Sequence, residues 1–405
     1  MRFCQPVIAG QLIISHTINA FPVSHCPILR FAFLIFKYFP FGGVQRDMLR
    51  IASDCAAKGH EVTIYTGQWR GEQPVGNIKV VCLPSSGLFN HQRHQSLINA
   101  MAQQLEQHPP DLAVGFNRMP DLDVYYAADP CFIERAHATR GCWYRLTGRY
   151  RFFAATEQAV MREDGKCKIL LLSPREKMLF QRWYHTPESR FYLLPPSIPL
   201  SRFTRIGSLA ARRQLRQEFG LPSDAQVMLL VGSAFVRKGL DRAIRGLAAL
   251  PEGLRSNIWL LAVGEDRAEH MMTLARRLGV VAHIIITSGR SDVPQLMIGA
   301  DLLVHPARSE LAGIVLIEAL TAGLPVLATE LCGYAQHIAV AGAGLLLPSP
   351  FEQSDFDHAL LTMLTSPERS RWSDAGRRYS ANIAANTSPT IEADLLETFA
   401  REKRG

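Results

Sequence analysis

Short apolar runs recur along the chain, each closed by glycine or a polar residue and followed by a longer amphipathic stretch. RFAFLIF (30–36), EVTIYTG (61–67), PPDLAVGFN (109–117) and DVYYAAD (123–129) make one series. AQVMLLVG, NIWLLAVG, VVAHIIITSG, DLLVH and PVLATE make a second between 225 and 330. Such runs are what strands buried on both faces show, so the pattern predicts an α/β protein with parallel sheets.

The second series contains DLLVHPARSELAGIVLIEALTAGLPV (301–326), in which DLLVH reads as a strand and GIVLIEALTAG as a short helix stopped by Gly323. Glu310 then falls in the connecting loop and Glu318 inside the helix. Two fully helical residues eight apart would point about 80° away from each other, so the loop is what lets both carboxylates converge on one polyhydroxylated ligand. A chance pair of glutamates is the rival reading.

At 405 residues the chain is long enough for two cores. The boundary is expected at LLPPSIPLSRF (193–203), which gives an extension over 1–29, a first domain over 30–195, a second over 196–375 and a helical segment over 376–405 that packs back toward the first domain. Residues 7–23 are moderately apolar but are interrupted by His16, Asn19 and Pro22, so they read as a loose extension or an over-called start rather than a secretory signal. Eight scattered cysteines without zinc-site spacing suit free thiols in a reducing compartment. The net charge of +8 favours an anionic partner without choosing among nucleotide-linked metabolites, acidic membranes and nucleic acid. No run reaches the roughly 18 apolar residues that span a bilayer.

Candidate chemistry sits at strand ends. Gly42 and Gly43 lie between the first strand and a helix beginning near Val44, where free N–H groups suit a phosphate or a hydroxyl-rich group; a structural turn is the alternative. Their spacing matches neither a dinucleotide fingerprint nor a P-loop. Asp129 ends its strand on the edge where open parallel sheets bind ligands, with a helix cap as its rival role. Arg237 and Lys238 precede a helix and suit a diphosphate grip, with plain surface charge at a helix start as the alternative. Asp292 reads as a helix cap, and Gly333 and Tyr334 offer backbone N–H groups to a bound oxygen or make a plain turn. Residues 131–155 interleave Arg135, Arg140, Arg145, Arg149 and Arg151 with Trp143, Tyr144, Tyr150, Phe152 and Phe153. That mixture suits reversible contact with an anionic membrane or glycolipid, against a solvated basic face or a nucleic-acid surface.

Taken together, the Gly42-Gly43 loop, Arg237-Lys238-Gly239 and Glu310-x7-Glu318 followed by TAGLPV resemble the retaining, nucleotide-sugar-dependent glycosyltransferases of family 4. The resemblance implies a GT-B fold, in which two Rossmann-like domains face each other across a cleft. More narrowly, KYFPFGGVQRDMLRIAS, VGFNRMPDLDVYYAAD, YRLTGRYR, VRKG, HPARSELAGIVLIEALTAGLPVL and CGYAQHIA resemble the glucosyltransferases that act on the heptose inner core of lipopolysaccharide, over about residues 30–390.

What the resemblance implies is specific. Lys238 binds the nucleotide diphosphate, Glu310 the donor-sugar hydroxyls and Glu318 the ribose, with Gly313 in the same signature. The arginine that many members carry after the loop glycine is Ser233 here, and Arg237 stands beside the lysine instead. A family histidine near the reacting sugar is replaced by Asp129. The donor is UDP-glucose, no metal or other cofactor is required, and the acceptor is a membrane-anchored glycolipid met on the cytoplasmic face of the bacterial inner membrane. Arg140, Trp143, Arg145, Arg149 and Arg151 make the membrane or acceptor contact. UDP-galactose or another glycolipid acceptor keeps the same chemistry, and a non-enzymatic membrane-binding protein is the alternative of a different class. A nucleic-acid role explains neither the glutamate pair nor the glycine loops.

Overall fold

A computed structural model describes residues 27–40, 42–196, 203 and 207–405. Residues 1–26 of the expected extension and most of the expected linker lie outside the described residues.

Two all-parallel sheets form. The first has seven strands: β1 (Arg30–Ile35), β2 (Glu61–Thr66), β3 (Ile78–Cys82), β4 (Leu112–Gly115), β5 (Val124–Ala127), β6 (Lys168–Leu171) and β7 (Phe191–Leu193), in the order β3-β2-β1-β4-β5-β6-β7. The second has six: β8 (Gln226–Val231), β9 (Ile258–Val263), β10 (Ile284–Thr287), β11 (Leu302–His305), β12 (Val326–Thr329) and β13 (Gly344–Leu347), in the order β10-β9-β8-β11-β12-β13. Strand order therefore reverses twice, between β1 and β4 and between β8 and β11. Open α/β sheets bind ligands beyond the carboxyl ends of strands at such reversals.

Each sheet is buried on both faces, which explains the uninterrupted apolar runs. In β1, Phe31, Phe33 and Ile35 join one core cluster while Ala32 and Leu34 join the cluster on the opposite face. β8 divides in the same way, with Val227 and Leu229 on one side and Met228 and Leu230 on the other. Period-two partition of a wholly apolar strand is the signature of a central parallel strand covered by helices on both sides.

The last helix, Ile391–Arg404, lies against the first domain. Its Ala393, Leu396, Phe399 and Ala400 repeat at helical spacing and are buried in the same cluster as Phe31 and Phe33. Polar pairs fix its register: Arg50 forks onto Glu392 at 2.6 and 3.1 Å, Lys403 reaches Asp123 at 2.6 Å and Arg404 reaches Asp111 at 2.6 Å. The chain thus returns to its first domain after building its second. Among the described residues no helix is long and apolar enough to cross a membrane.

Candidate functional site

At the reversal in the second sheet, the loops after β8 and β11 are stitched together. The loop after β8 contains a one-turn helix, Phe235–Lys238, that the sequence pattern did not predict. Ala234 enters it with φ of 63°, and the Phe235 N–H donates to Asp266 Oδ2 at 2.7 Å. Arg237 and Lys238 therefore close a short turn before the helix Leu240–Ala249 rather than standing in an open loop. Gly239 follows at φ of 81°, and a Cβ there would lie 2.1 Å from the Pro306 carbonyl oxygen. Only glycine permits this approach of the two loops. The Arg308 N–H closes the seam by donating to the Arg237 carbonyl at 2.8 Å.

This seam brings Arg237 and Lys238 onto Glu310. Arg237 Nη1 donates to Glu310 Oε2 at 2.7 Å, and Lys238 Nζ donates to the same oxygen. Burial raises the Glu310 carboxyl, but the Lys238 and Arg237 charges outweigh it and hold the group below the usual glutamate range. Lys238 is nearly buried, whereas the Arg237 side chain is 43% exposed. Gly313 adopts φ of 76°, and a Cβ on it would stand 3.3 Å from Glu310 Cγ. It therefore opens the helix Ile314–Ala322 and leaves the glutamate room. Glu318 is half-buried in the second turn of that helix. Ser233, in the expected arginine position, accepts the Glu265 N–H at 3.0 Å, so it braces the neighbouring loop.

His305, the last residue of β11, was passed over as a strand end. It is fully buried, neither ring nitrogen has a partner among the described residues, and its Nε2 lies 3.9 Å from Glu310 Oε2. Burial, with the neighbouring Lys238 charge, pushes its pKa down to about 3, so the ring stays neutral beside the cations.

At the reversal in the first sheet, Gly42 precedes the helix Gly43–Ala57 with φ of −81° and ψ of 138°. That is ordinary extended backbone, so no left-handed turn demands a glycine. A Cβ on Gly43 would meet nothing within 4 Å. The two domains meet nearby, since Leu311 and Ala312 pack on the first domain's core and a Cβ on Gly333 would lie 3.0 Å from Ser173 Cβ. Of the two readings open for Tyr334, the plain turn fits: its N–H donates to the Ala312 carbonyl at 2.7 Å rather than standing open to a ligand. Asp292 makes no capping bond either, because Arg290 holds both its oxygens at 2.8 and 2.6 Å.

Asp129 is not a helix cap. The first N–H groups of the helix Phe132–Thr139 are satisfied by two buried glutamates: Glu157 accepts from Phe132 at 2.6 Å and Ile133 at 3.1 Å, and Glu176 accepts from Cys131 at 2.6 Å. The Asp129 carboxylate is half-buried, has no polar partner among the described residues, and lines a cavity of about 330 Å³ with Arg118, Arg140 and Arg149. Trp143, Arg145 and Arg151 do not line it. They stand exposed, and Trp143 is joined by Leu146 on a short 3-10 turn between breaks at Gly141 and Gly148. Among the described residues no group of three or more His, Cys, Asp or Glu could hold a metal ion.

Comparison with known proteins gives the family and the fold. The family described as Glycosyltransferase Family 4 matches residues 41–202, and that described as Glycosyl transferases group 1 matches residues 211–379. The lipopolysaccharide glucosyltransferase WaaG of Escherichia coli K12 is 43% identical over 366 residues, covering 90% of this chain and 98% of that protein. A crystal structure of WaaG, a glycosyltransferase involved in lipopolysaccharide biosynthesis, superposes with a TM-score of 0.85 over 90% of this chain and 99% of that one. The Anabaena protein HepE, solved with UDP-glucose, shares the fold at a TM-score of 0.72 and 17% identity, over 92% of this chain and all of its own.

Proposed function

The chain belongs to glycosyltransferase family 4 and has its GT-B fold, and from that premise we propose that it moves glucose from UDP-glucose to a heptose of the lipopolysaccharide inner core with retention of configuration. The observation that carries this reading is the convergence of Arg237, Lys238 and Glu310 at the strand reversal of the second sheet. Uridine lies on the second domain with its ribose at Glu318, and the diphosphate lies between Lys238 with Arg237 and the helix start at Gly42-Gly43. As the glycosidic bond to UDP breaks, charge grows on the leaving phosphate, and two cations already fixed in place oppose it without reorganising. The diphosphate competes with Glu310 for these cations. Glu310, so released, accepts from the hydroxyls of the transferred sugar.

The acceptor attacks from the leaving-group side, and the departing phosphate oxygen takes its proton. Asp129, with no structural partner of its own, faces the positive charge that develops at the sugar ring or orients the acceptor. Cleft closure keeps water from competing as acceptor. The exposed Trp143 and Leu146, in a stretch that also carries Arg140, Arg145, Arg149 and Arg151, rest on the anionic membrane that carries the acceptor.

The test is UDP release and product mass with UDP-glucose and UDP-galactose in parallel, on heptose-terminated lipopolysaccharide core. Addition of one hexose from UDP-glucose alone is the expected result. Addition only from UDP-galactose would overturn the donor, and no transfer from either would overturn the proposed activity.

A further inference from the structure

The cavity beside Asp129 holds far more positive charge than any neighbouring group answers. Four arginines line it, from the loop after β4, the helix Phe132–Thr139 and its end, and the helix Gly148–Met161. Arg118 forms the buried floor. Its Nη1 pairs with Glu157 at 2.8 Å, its Nη2 donates to the carbonyls of Asp129 and Pro130, and its Nε has no partner among the described residues. Arg135, Arg140 and Arg149 stand at the exposed rim without a carboxylate partner among the described residues. Aromatic faces hold two of them, with Arg140 5.6 Å from the Tyr144 ring and Arg149 5.3 Å from the Phe153 ring, so their N–H forks stay free.

The acids nearby are committed elsewhere. Glu157 serves Arg118 and the helix start, Glu176 serves Cys131, and Glu134 accepts from Trp183 Nε1 at 2.7 Å. Among the described residues Asp129 is the one acid lining the cavity. Guanidinium groups gathered around one concavity repel each other unless an anion joins them, and their planar forks match the oxygens of phosphate and carboxylate. The donor's diphosphate already has its grip on the other domain.

We infer that this cavity is an anion subsite for the acceptor, seating a phosphate or carboxylate substituent of the glycolipid over Arg118 and under Arg135, Arg140 and Arg149, and so fixing the accepting sugar beside Asp129. The inference rests on the glycolipid-acceptor reading given above. A bulk lipid headgroup would present the same oxygens, and the acceptor's own substituent is favoured because Asp129 lines the cavity whereas Trp143 and Leu146, the exposed apolar side chains of the neighbouring turn, do not.

The experiment compares the wild type with an Arg135→Gln/Arg149→Gln variant on detergent-dispersed acceptor in three forms: intact, dephosphorylated, and with its carboxylates reduced to alcohols. On intact acceptor the variant should lose about 10- to 100-fold in kcat/KM, mainly through KM. One of the two treatments should lower the wild type to the same level and cost the variant nothing more, which identifies the anion. An equal loss on all three forms would overturn the subsite, as would a loss seen only when acceptor is presented in anionic vesicles. UDP-glucose binding by calorimetry should be unchanged in the variant, and a loss there would also count against the inference. If the wild type glycosylates none of the three, the acceptor reading has failed. The subsite is then decided by titrating inorganic phosphate and acetate: binding that the variant loses retains an anion site, and no binding to the wild type removes it.

Discussion

At the second sheet's reversal two cations share one carboxylate, whereas in the first domain three rim arginines have no carboxylate ion-paired to them among the described residues. The paired cluster is held by short loops against each other, with a nearly buried lysine and a fully buried histidine beside it. The unpaired cluster is spread over two helices, one of them at its end, and is open at its rim. Charge that is neutralised internally can stay in a tight, partly dry seam. Charge left unanswered needs solvent or an anionic ligand. On the proposed reading, the seam binds the small invariant half of the reaction, the nucleotide, and the rim binds the large membrane-borne half.

Removing the seam's cation should break the comparison most sharply. Lys238→Ala should lower kcat/KM for UDP-glucose by about 10²–10³-fold, the scale set by deleting one preorganised group that faces developing charge. Arg237→Ala should cost less, about tenfold, because its exposed side chain works against solvent screening. Steady-state UDP release measures both. Wild-type turnover in Lys238→Ala would remove the donor grip from this seam and leave the contrast between the clusters without functional meaning.

Next comes the backbone. Gly239→Ala should destabilise the fold by at least about 2 kcal/mol, since it forces a left-handed residue and a collision with the Pro306 carbonyl. Gly43→Ala should shift stability by no more than about 0.5 kcal/mol, because its Cβ meets nothing and its backbone is helical. Urea unfolding of the two variants side by side decides the point. Similar losses would mean that the two glycine loops are built alike after all.

What could be read from the chain follows the same division. Apolar runs gave β1, β2, β4, β5 and β8 to β12, since strands such as β1 and β8 are buried on both faces, but not β6 or the part-exposed β3, β7 and β13; the Glu310 loop and Arg237-Lys238 turn lie within a few residues of the strands that position them. The role of Gly239 needed the Pro306 carbonyl, far along the chain. The rival cap role for Asp129 could be dismissed only by Glu157 and Glu176, which reach it from other helices. His305 stood in plain view within DLLVH, but its burial and its partnerless nitrogens are products of tertiary packing. Local spacing sets each of these residues on its element and is silent on which of them packing brings together, whether across the seam or around the cavity.

His305 yields the cleanest effect. Its native pKa of about 3 lies below the ordinary histidine value near 6.5. Between these limits the unfolded chain binds a proton that the native ring refuses. Stability therefore rises with pH across that window, is unaffected above it, and falls on acidification by up to about 1.4 kcal/mol per pH unit from this residue. Glu310, held below the glutamate range, also favours the folded state at higher pH, but its share begins only below about pH 4.3. Unfolding free energies measured at pH 5, 5.5, 6 and 6.5 thus isolate the histidine when His305→Gln is compared with the wild type. The variant should show the shallower slope, and the wild-type ring should keep its neutral-form NMR signals down to pH 5. Parallel curves together with a ring that titrates near 6.5 would mean that water or an anion reaches the seam, and the contrast between a dry paired cluster and an open unpaired one would fall.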